Sequence, residues 1–355
     1  MAHDNLNRRE ILKRGGAAVT AGFLAGCSGG QGGGGETPTI RYSLVSGTET
    51  IDVTGMFYQS ETIREDVLEN VGESYELEIQ QAQGTPGVVT ALGSDEADAG
   101  VLAYSSLANA VANDAISGGA SVVAPYKWQT ETTPDGIYAR ADTDIETGAD
   151  LEGKEIAVPA VGTASDLLLR AALANTAGLD PENDVTIREV SFGAMPAALE
   201  EDRVQAASMI QPFIYLMGDS INRVFEPTAG IGTHLVVFAG ARNDFAEANS
   251  EAMRGWLEDL WTGVQWWTDD ANREEAVDIA TDVIGLDRPV MDALVQTDRG
   301  YYQGEDGFGI APPCLQRGFD VMEEIGFLDE SLTASDHLDN SYLPEEAQTV
   351  SVNCE

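Results

Sequence analysis

The three histidines, His3, His234 and His337, are far apart in a 355-residue chain, and none has a second ligand residue at metal-site spacing. No Gly-x-Ser-x-Gly elbow, Walker loop or paired-cysteine motif occurs. With 60 Asp plus Glu, any two carboxylates can be imagined as an acid and base pair, so such a pair carries no information. The residues therefore imply no enzyme, metal or cofactor chemistry. They point to capture by hydroxyls, amides and aromatics placed where strands end. The candidates are Ser46 and Thr48, Gln83 and Thr85, Tyr104 and Ser105, Thr163 and Ser165, and Gln211 with Phe213. Hydroxyls and helix N-termini can hold an oxyanion, while Tyr104 and Phe213 can shape an apolar wall.

Positioning such groups requires strands that stop together. Thr39 to Val45 reads as a first strand, a helix follows around Gly55 to Asn70, and Tyr75 to Gln80 alternates as a half-buried strand. Gln83-Gly84-Thr85-Pro86-Gly87 then opens a helix. This succession signals an α/β layer. The same move occurs twice. Ala91 to Ser106 aligns without a gap on Ala198 to Phe213 at a constant spacing of 107 residues, each reading as helix end, polar turn and apolar strand. Ligands of open α/β sheets sit beyond the carboxyl ends of the strands. The repeats place Tyr104-Ser105-Ser106 and Gln211-Pro212-Phe213 there, so two lobes would face each other across a cleft.

A further strand, Glu155 to Val158, passes through the small-residue loop Pro159 to Ser165 into a helix over Asp166 to Ala177, stopped by Gly178. Free N–H groups and hydroxyls at that helix start suit an anion or polar group, and ordinary capping by Thr163 or Ser165 is the alternative.

Asp150-Leu151-x-Gly-Lys-x-Ile-Ala-Val-Pro, the Gly-Thr-Ala-Ser loop, the Leu-Leu-Leu-Arg run and Ala198-Leu199 to Gln211-Pro212-Phe213 resemble the nitrate/sulfonate/taurine substrate-binding proteins of ABC importers. That family includes relatives that bind thiamine pyrimidine precursors. The resemblance covers roughly residues 39–330. It implies an α/β type II periplasmic-binding-protein fold, with two lobes and a hinge that close on a small-molecule ligand. It also implies an ABC permease and its ATPase as partners. The lobes would comprise residues 38–130 with 232–355, and 131–231. Two features depart from the pattern: Gln205 stands where the family commonly has Asp, although Asp98 keeps the acid in the first half, and the cysteine-rich motif of pyrimidine-forming relatives is missing.

Residues 1–26 read as an export signal. Arg8-Arg9 followed by Ile11, Leu12 and Lys13 resembles a twin-arginine signal, and Leu24-Ala25-Gly26-Cys27 resembles a lipobox whose Cys27 takes a lipid. Residues 27–37 are a Gly-rich linker between that anchor and the body. The expected place is the extracytoplasmic face of the membrane, touched only through the lipid, as a monomer. Cys314 and Cys354 remain as an even pair, expected to form a disulfide, with two unrelated thiols as the alternative.

The formal net charge of −41 becomes −43 without residues 1–26, which carry Arg8, Arg9, Lys13 and Arg14 against Asp4 and Glu10. Such a charge excludes nucleic acid as a partner. Lysine is confined to Lys13, Lys127 and Lys154, and dense carboxylates with few lysines suggest a surface adapted to extreme salt. Trp256, Leu257, Leu260, Trp261, Val264 and Trp267 fall on one helix face and read as core, whereas Trp128 could face the cleft. Helices are expected over Glu274–Ile284, Pro289–Gln296 and Phe319–Ile325, with a peripheral tail from Ser331.

Overall fold

The computed structural model describes residues 37–45, 60–82, 84–296 and 307–354. The signal, Cys27, most of the linker, Ser46, Thr48 and Gln83 lie outside the described residues. The strands are β1 (Thr39–Val45), β2 (Glu76–Ala82), β3 (Ala99–Ala103), β4 (Ala120–Gln129), β5 (Gly136–Arg140), β6 (Glu155–Val158), β7 (Thr186–Glu189), β8 (Ala206–Met209), β9 (Ile221–Phe225) and β10 (His234–Arg242). Among the described residues they form two five-stranded sheets, ordered β2-β1-β3-β10-β4 and β7-β6-β8-β5-β9. In each, the first three strands are parallel and the fourth runs antiparallel to the third. The chain passes between sheets twice, through residues 130–135 and 226–233.

Helices cover both faces of the first sheet: α1 (Glu61–Asp66), α2 (Gly84–Gly93), α3 (Tyr104–Ala112) and, after the return from the second sheet, five later helices. The second sheet carries α4 (Ala164–Ala172), α5 (Met195–Glu200) and α6 (Phe213–Met217). The later helices are α7 (Asn243–Ala248), α8 (Ser250–Thr268), α9 (Arg273–Ile284), α10 (Arg288–Leu294) and α11 (Pro312–Glu324). Burial on both faces explains why β3 reads Ala-Gly-Val-Leu-Ala with every residue buried. In the second sheet the period of two is explicit. Ile137, Ala139, Ile156, Val158 and Ala206 enter one core, and Tyr138, Ala157 and Ala207 enter the other.

The tryptophan stripe of α8 is core as expected: Trp256, Leu257, Leu260, Val264 and Trp267 are buried against β1 and β4, and Trp261 packs alongside. Trp128 is also buried, in the core that gathers Tyr104, residues of α11 and Leu167 of α4.

Three sequence expectations are corrected. The described part of the first helix is only Glu61–Asp66, started by Ser60, whose hydroxyl accepts from the Ile63 N–H at 3.3 Å. The helix after β6 ends its α-helical part at Ala172 and continues as a π-helical turn over Leu173–Ala177, until Gly178 turns left-handed at φ 69°. The tail is not peripheral. Leu338 bridges Val122, Val350 bridges Gly309, and Leu343, Ala347 and Cys354 are buried. Cys354 is bonded to Cys314 of α11, and Arg317 one turn further on donates to the Cys354 carbonyl at 3.2 Å.

Candidate functional site

Strand β3 delivers the chain directly into α3 at its carboxyl end, and β8 reaches α6 after three residues; these two junctions hold four of the ten candidate residues, Tyr104, Ser105, Gln211 and Phe213. Tyr104 is the first residue of α3 and is fully enclosed. Its ring meets the His234 ring edge-on at 5.5 Å between centroids. It also lies against the backbone of α11, where a Cβ on Gly318 would come within 2.6 Å of the ring, so only glycine lets that helix approach. Tyr104 is therefore packed as core, and its hydroxyl is the part left over: buried and without a hydrogen-bond partner. Burial, reinforced by the nearby Asp166 carboxylate, pushes its pKa up, so the phenol stays protonated. The Ser105 hydroxyl beside it is likewise buried and unpartnered. Ser106 differs, because its hydroxyl both accepts from the Ala103 N–H and donates to the Ala103 carbonyl.

Across from this junction, α4 brings its first turn towards α3. Thr163 precedes the helix but donates to the Ala160 carbonyl at 2.7 Å instead of capping it, and Ser165 is half-buried in the first turn. Sequence reasoning passed over Asp166. Its buried carboxylate accepts from the Gly162 N–H at 2.8 Å and from Arg170 Nε at 2.9 Å. Burial raises its pKa, and the hydrogen bonds from Gly162 and Arg170 oppose that. The helix start is thus not a bare cluster of donors. It carries a carboxylate with its own counter-charge.

At the second junction, Gln211 is buried and its Oε1 accepts from the Tyr215 N–H at 3.0 Å, so part of this amide serves α6. The Gln211–Pro212 peptide is cis. Phe213 is half-buried and packs, with Phe192, against the cores of both sheets, while Ile210 joins Tyr42, Tyr126 and Trp256 in the first. Thr85 is half-buried in the first turn of α2, at the carboxyl end of β2. Tyr104 and Ser105 are thereby brought to the start of α4. Gln211 and Phe213 form the second junction, with Phe213 packed on the Tyr42 side of the first sheet's core.

Both crossings carry polar groups that sequence reasoning did not select. At the first, Lys127 is ion-paired with Asp135, and Gln129 Nε2 donates to the same carboxylate at 2.9 Å. At the second, His234 Nδ1 donates to the Gly232 carbonyl at 2.9 Å. Burial lowers the His234 pKa to about 4, which leaves the ring neutral at pH 7. Gly230, at φ +78°, lies so close to α4 that a Cβ would sit 2.4 Å from the Ala171 carbonyl. Strand pairing sets Gln129 opposite His234 and so brings the two crossings together there, and no local sequence signal announces it.

The arrangement can grip a small polar solute through neutral hydroxyls, amides and a helix start. Among the described residues, no cluster of three His, Cys, Asp or Glu could hold a metal ion, and no helix is long and apolar enough to cross a membrane.

The sequence matches the NMT1-like family over residues 65–281, more than half of the chain. Curated protein sequences give no match. The fold is similar to the alkanesulfonate-binding protein SsuA from Xanthomonas axonopodis pv. citri bound to MOPS, with a TM-score of 0.66 and 18% identity over 86% of this chain and 99% of that one. It is similar to SsuA from Escherichia coli, the periplasmic aliphatic sulphonate binding protein, at 0.65 and 18% over 90% and 96%. It is also similar to the periplasmic nitrate-binding protein NrtA from Synechocystis PCC 6803, at 0.64 and 14% over 86% and 87%. With two α/β sheets joined by two crossings, the chain has the type II periplasmic-binding-protein fold.

Proposed function

The chain belongs to the NMT1-like family, and we propose on that premise that it is the extracytoplasmic solute-binding component of an ABC importer. It captures a small anion, such as a sulfonate, taurine or nitrate, by hinge closure and delivers it to a permease powered by its ATPase. The supporting observation is the pair of buried, unpartnered hydroxyls of Tyr104 and Ser105 at the end of β3, opposite the start of α4. Unsatisfied buried polar groups cost about 1–3 kcal/mol each, so they favour a state in which a solute supplies the missing bonds. Residues 38–130 and 232–355 act as one lobe and 131–231 as the other, bending at the crossings. Ser46, Thr48, Gln83, Thr85, Thr163, Ser165, Gln211 and Phe213 complete the ligand shell. No covalent step is required of any of them.

Export by the twin-arginine route and lipidation at Cys27 hold this monomeric body at the cell surface. The reading of a salt-adapted surface rests on the net charge of −41. A second ligand class, a thiamine pyrimidine precursor or similar heterocycle, is favoured by the half-buried aromatics Phe192, Phe213 and Tyr215 gathered at the second junction.

A thermal-shift panel in molar KCl decides between these classes, using ethanesulfonate, taurine, nitrate and a thiamine pyrimidine. A concentration-dependent rise in Tm with one class supports capture. A flat response to all four removes the proposal, and chemical conversion of any of them, seen by mass spectrometry, replaces it with an enzymatic one.

A further inference from the structure

The Asp166–Arg170 pair is buried, with Asp166 fully enclosed and Arg170 7% exposed. Buried ion pairs are commonly no more stabilising than apolar packing, so stability alone is a weak reason to place one at a helix start. The two charges are not equivalent in position. Asp166 lies in the first turn of α4, holding the Gly162 N–H, within electrostatic reach of the unpartnered Tyr104 hydroxyl. Arg170 lies one turn deeper. Its guanidinium donates to Asp166, pairs with Glu182 and rests 5.2 Å over the ring of Phe327, which belongs to the segment after α11.

A helix start carries roughly half a positive charge. An uncompensated carboxylate in the first turn cancels it and leaves the site net negative. A carboxylate neutralised from below leaves the helix-start donors free to act on a solute.

We propose that Arg170 is a positioning residue that sets ligand charge preference: by compensating Asp166 it makes the α4 start receptive to an anionic group beside the Tyr104 and Ser105 hydroxyls. This rests on the solute-binding reading and names what that reading leaves open, namely which residues decide between charged and neutral ligands. Phe327 holds the guanidinium in place from the first sheet's side, and Glu182, exposed to solvent, shares its charge with Asp166.

The test is calorimetric titration of the full mature chain in molar KCl with two matched probes, methanesulfonate and its neutral analogue methanesulfonamide. Enclosed charges are screened by salt much less than exposed ones, so the effect survives these conditions. Arg170→Gln is expected to weaken methanesulfonate about tenfold, and Asp166→Asn, which keeps an acceptor for Gly162, to strengthen it several-fold. The double variant returns towards the parent, and methanesulfonamide shifts less than about twofold throughout. If both single variants weaken methanesulfonate, or if the sulfonamide follows the sulfonate, the pair is structural and the assignment is overturned. If the parent chain binds neither probe, the sulfonate reading itself falls and takes the assignment with it. Arg170→Gln leaves a buried carboxylate unpaired and can fail to fold, in which case the Asp166→Asn shift alone decides.

Discussion

Asp98 and Gln205, 107 residues apart, do the same structural work in the two halves of the molecule. The Asp98 carboxylate accepts from the Arg41 N–H at 3.0 Å while the Asp98 N–H donates to the Arg41 carbonyl at 2.9 Å. The Gln205 Oε1 accepts from the Glu155 N–H at 3.0 Å while its own N–H donates to the Glu155 carbonyl at 2.8 Å. Each residue thus locks the strand it precedes to the parallel strand beside it. Glutamine in place of aspartate keeps the acceptor oxygen and gives up the charge, so the departure from the family pattern leaves the join intact. The difference lies in the surroundings: Asp98 also receives Arg41 Nε at 2.8 Å and is buried, whereas Gln205 is half-exposed.

Asp98→Ala is therefore expected to destabilise by about 3 kcal/mol and Gln205→Ala by about 1 kcal/mol, because the first strands an Arg41 amide and guanidinium together. Chemical denaturation in molar salt measures both. Equal costs would show that the charge contributes nothing at this join.

Tyr104→Phe removes a buried hydroxyl that has no partner. Thermal stability is expected to hold or rise by about 1–3 kcal/mol, since a desolvation penalty disappears, while ligand affinity falls. Melting and titration of the same preparation separate the two effects. A fall in Tm with unchanged affinity would place the hydroxyl outside the ligand shell.

Acidification should expose His234. Its folded pKa of about 4 lies below the ordinary 6.5, so the unfolded chain binds the proton first. Its contribution is complete above pH 6.5 and is lost as pH falls from there towards 4, amounting to about 3 kcal/mol. Asp166 and Asp259, raised by burial, titrate with the opposite sign in acid, so the informative quantity is the difference between parent and His234→Phe. Parallel pH profiles for the two would mean that the ring is not held neutral.

Reduction of Cys314–Cys354, which span 40 residues, should cost about 4 kcal/mol of stability by loop-closure entropy. Melting with and without a phosphine reductant reads this, and Cys354→Ser should melt like the reduced chain. No change on reduction would show that the contacts of the tail suffice without the bond.

Transfer from molar KCl to about 0.1 M salt lengthens the Debye length from ~3 Å to ~10 Å, and the net charge of −41 is then expected to unfold the body. Cooperative melting at undiminished Tm in low salt would refute the salt-adapted reading.

Most elements were legible because their signals are local. β1 occupies Thr39–Val45 as read, and the repeat at 107 residues lies on β3 and β8 with the ends of the helices that precede them, α2 and α5. The site was less so. Tyr104 presents itself in sequence as an apolar wall, but its ring is occupied by Gly318 and His234, which arrive from distant parts of the chain. Asp166 looks like one carboxylate among sixty until burial and Arg170 distinguish it. The tail after Ser331 has few apolar residues, and its burial depends on the Cys314 partner and on short bridges that leave no periodic trace.

The place of β10 between β3 and β4 has a consequence for biosynthesis. A ribosome that has released β1 to β4 has made a first sheet in two unjoined pieces, with β3 and β4 each presenting an open edge. The joining strand emerges only after the whole second sheet, at His234–Arg242. The second sheet can assemble as a unit first, while the earlier-made half waits with its edges exposed to wrong partners. Such a chain gains from anything that shields the edges of β3 and β4 until β10 has been made.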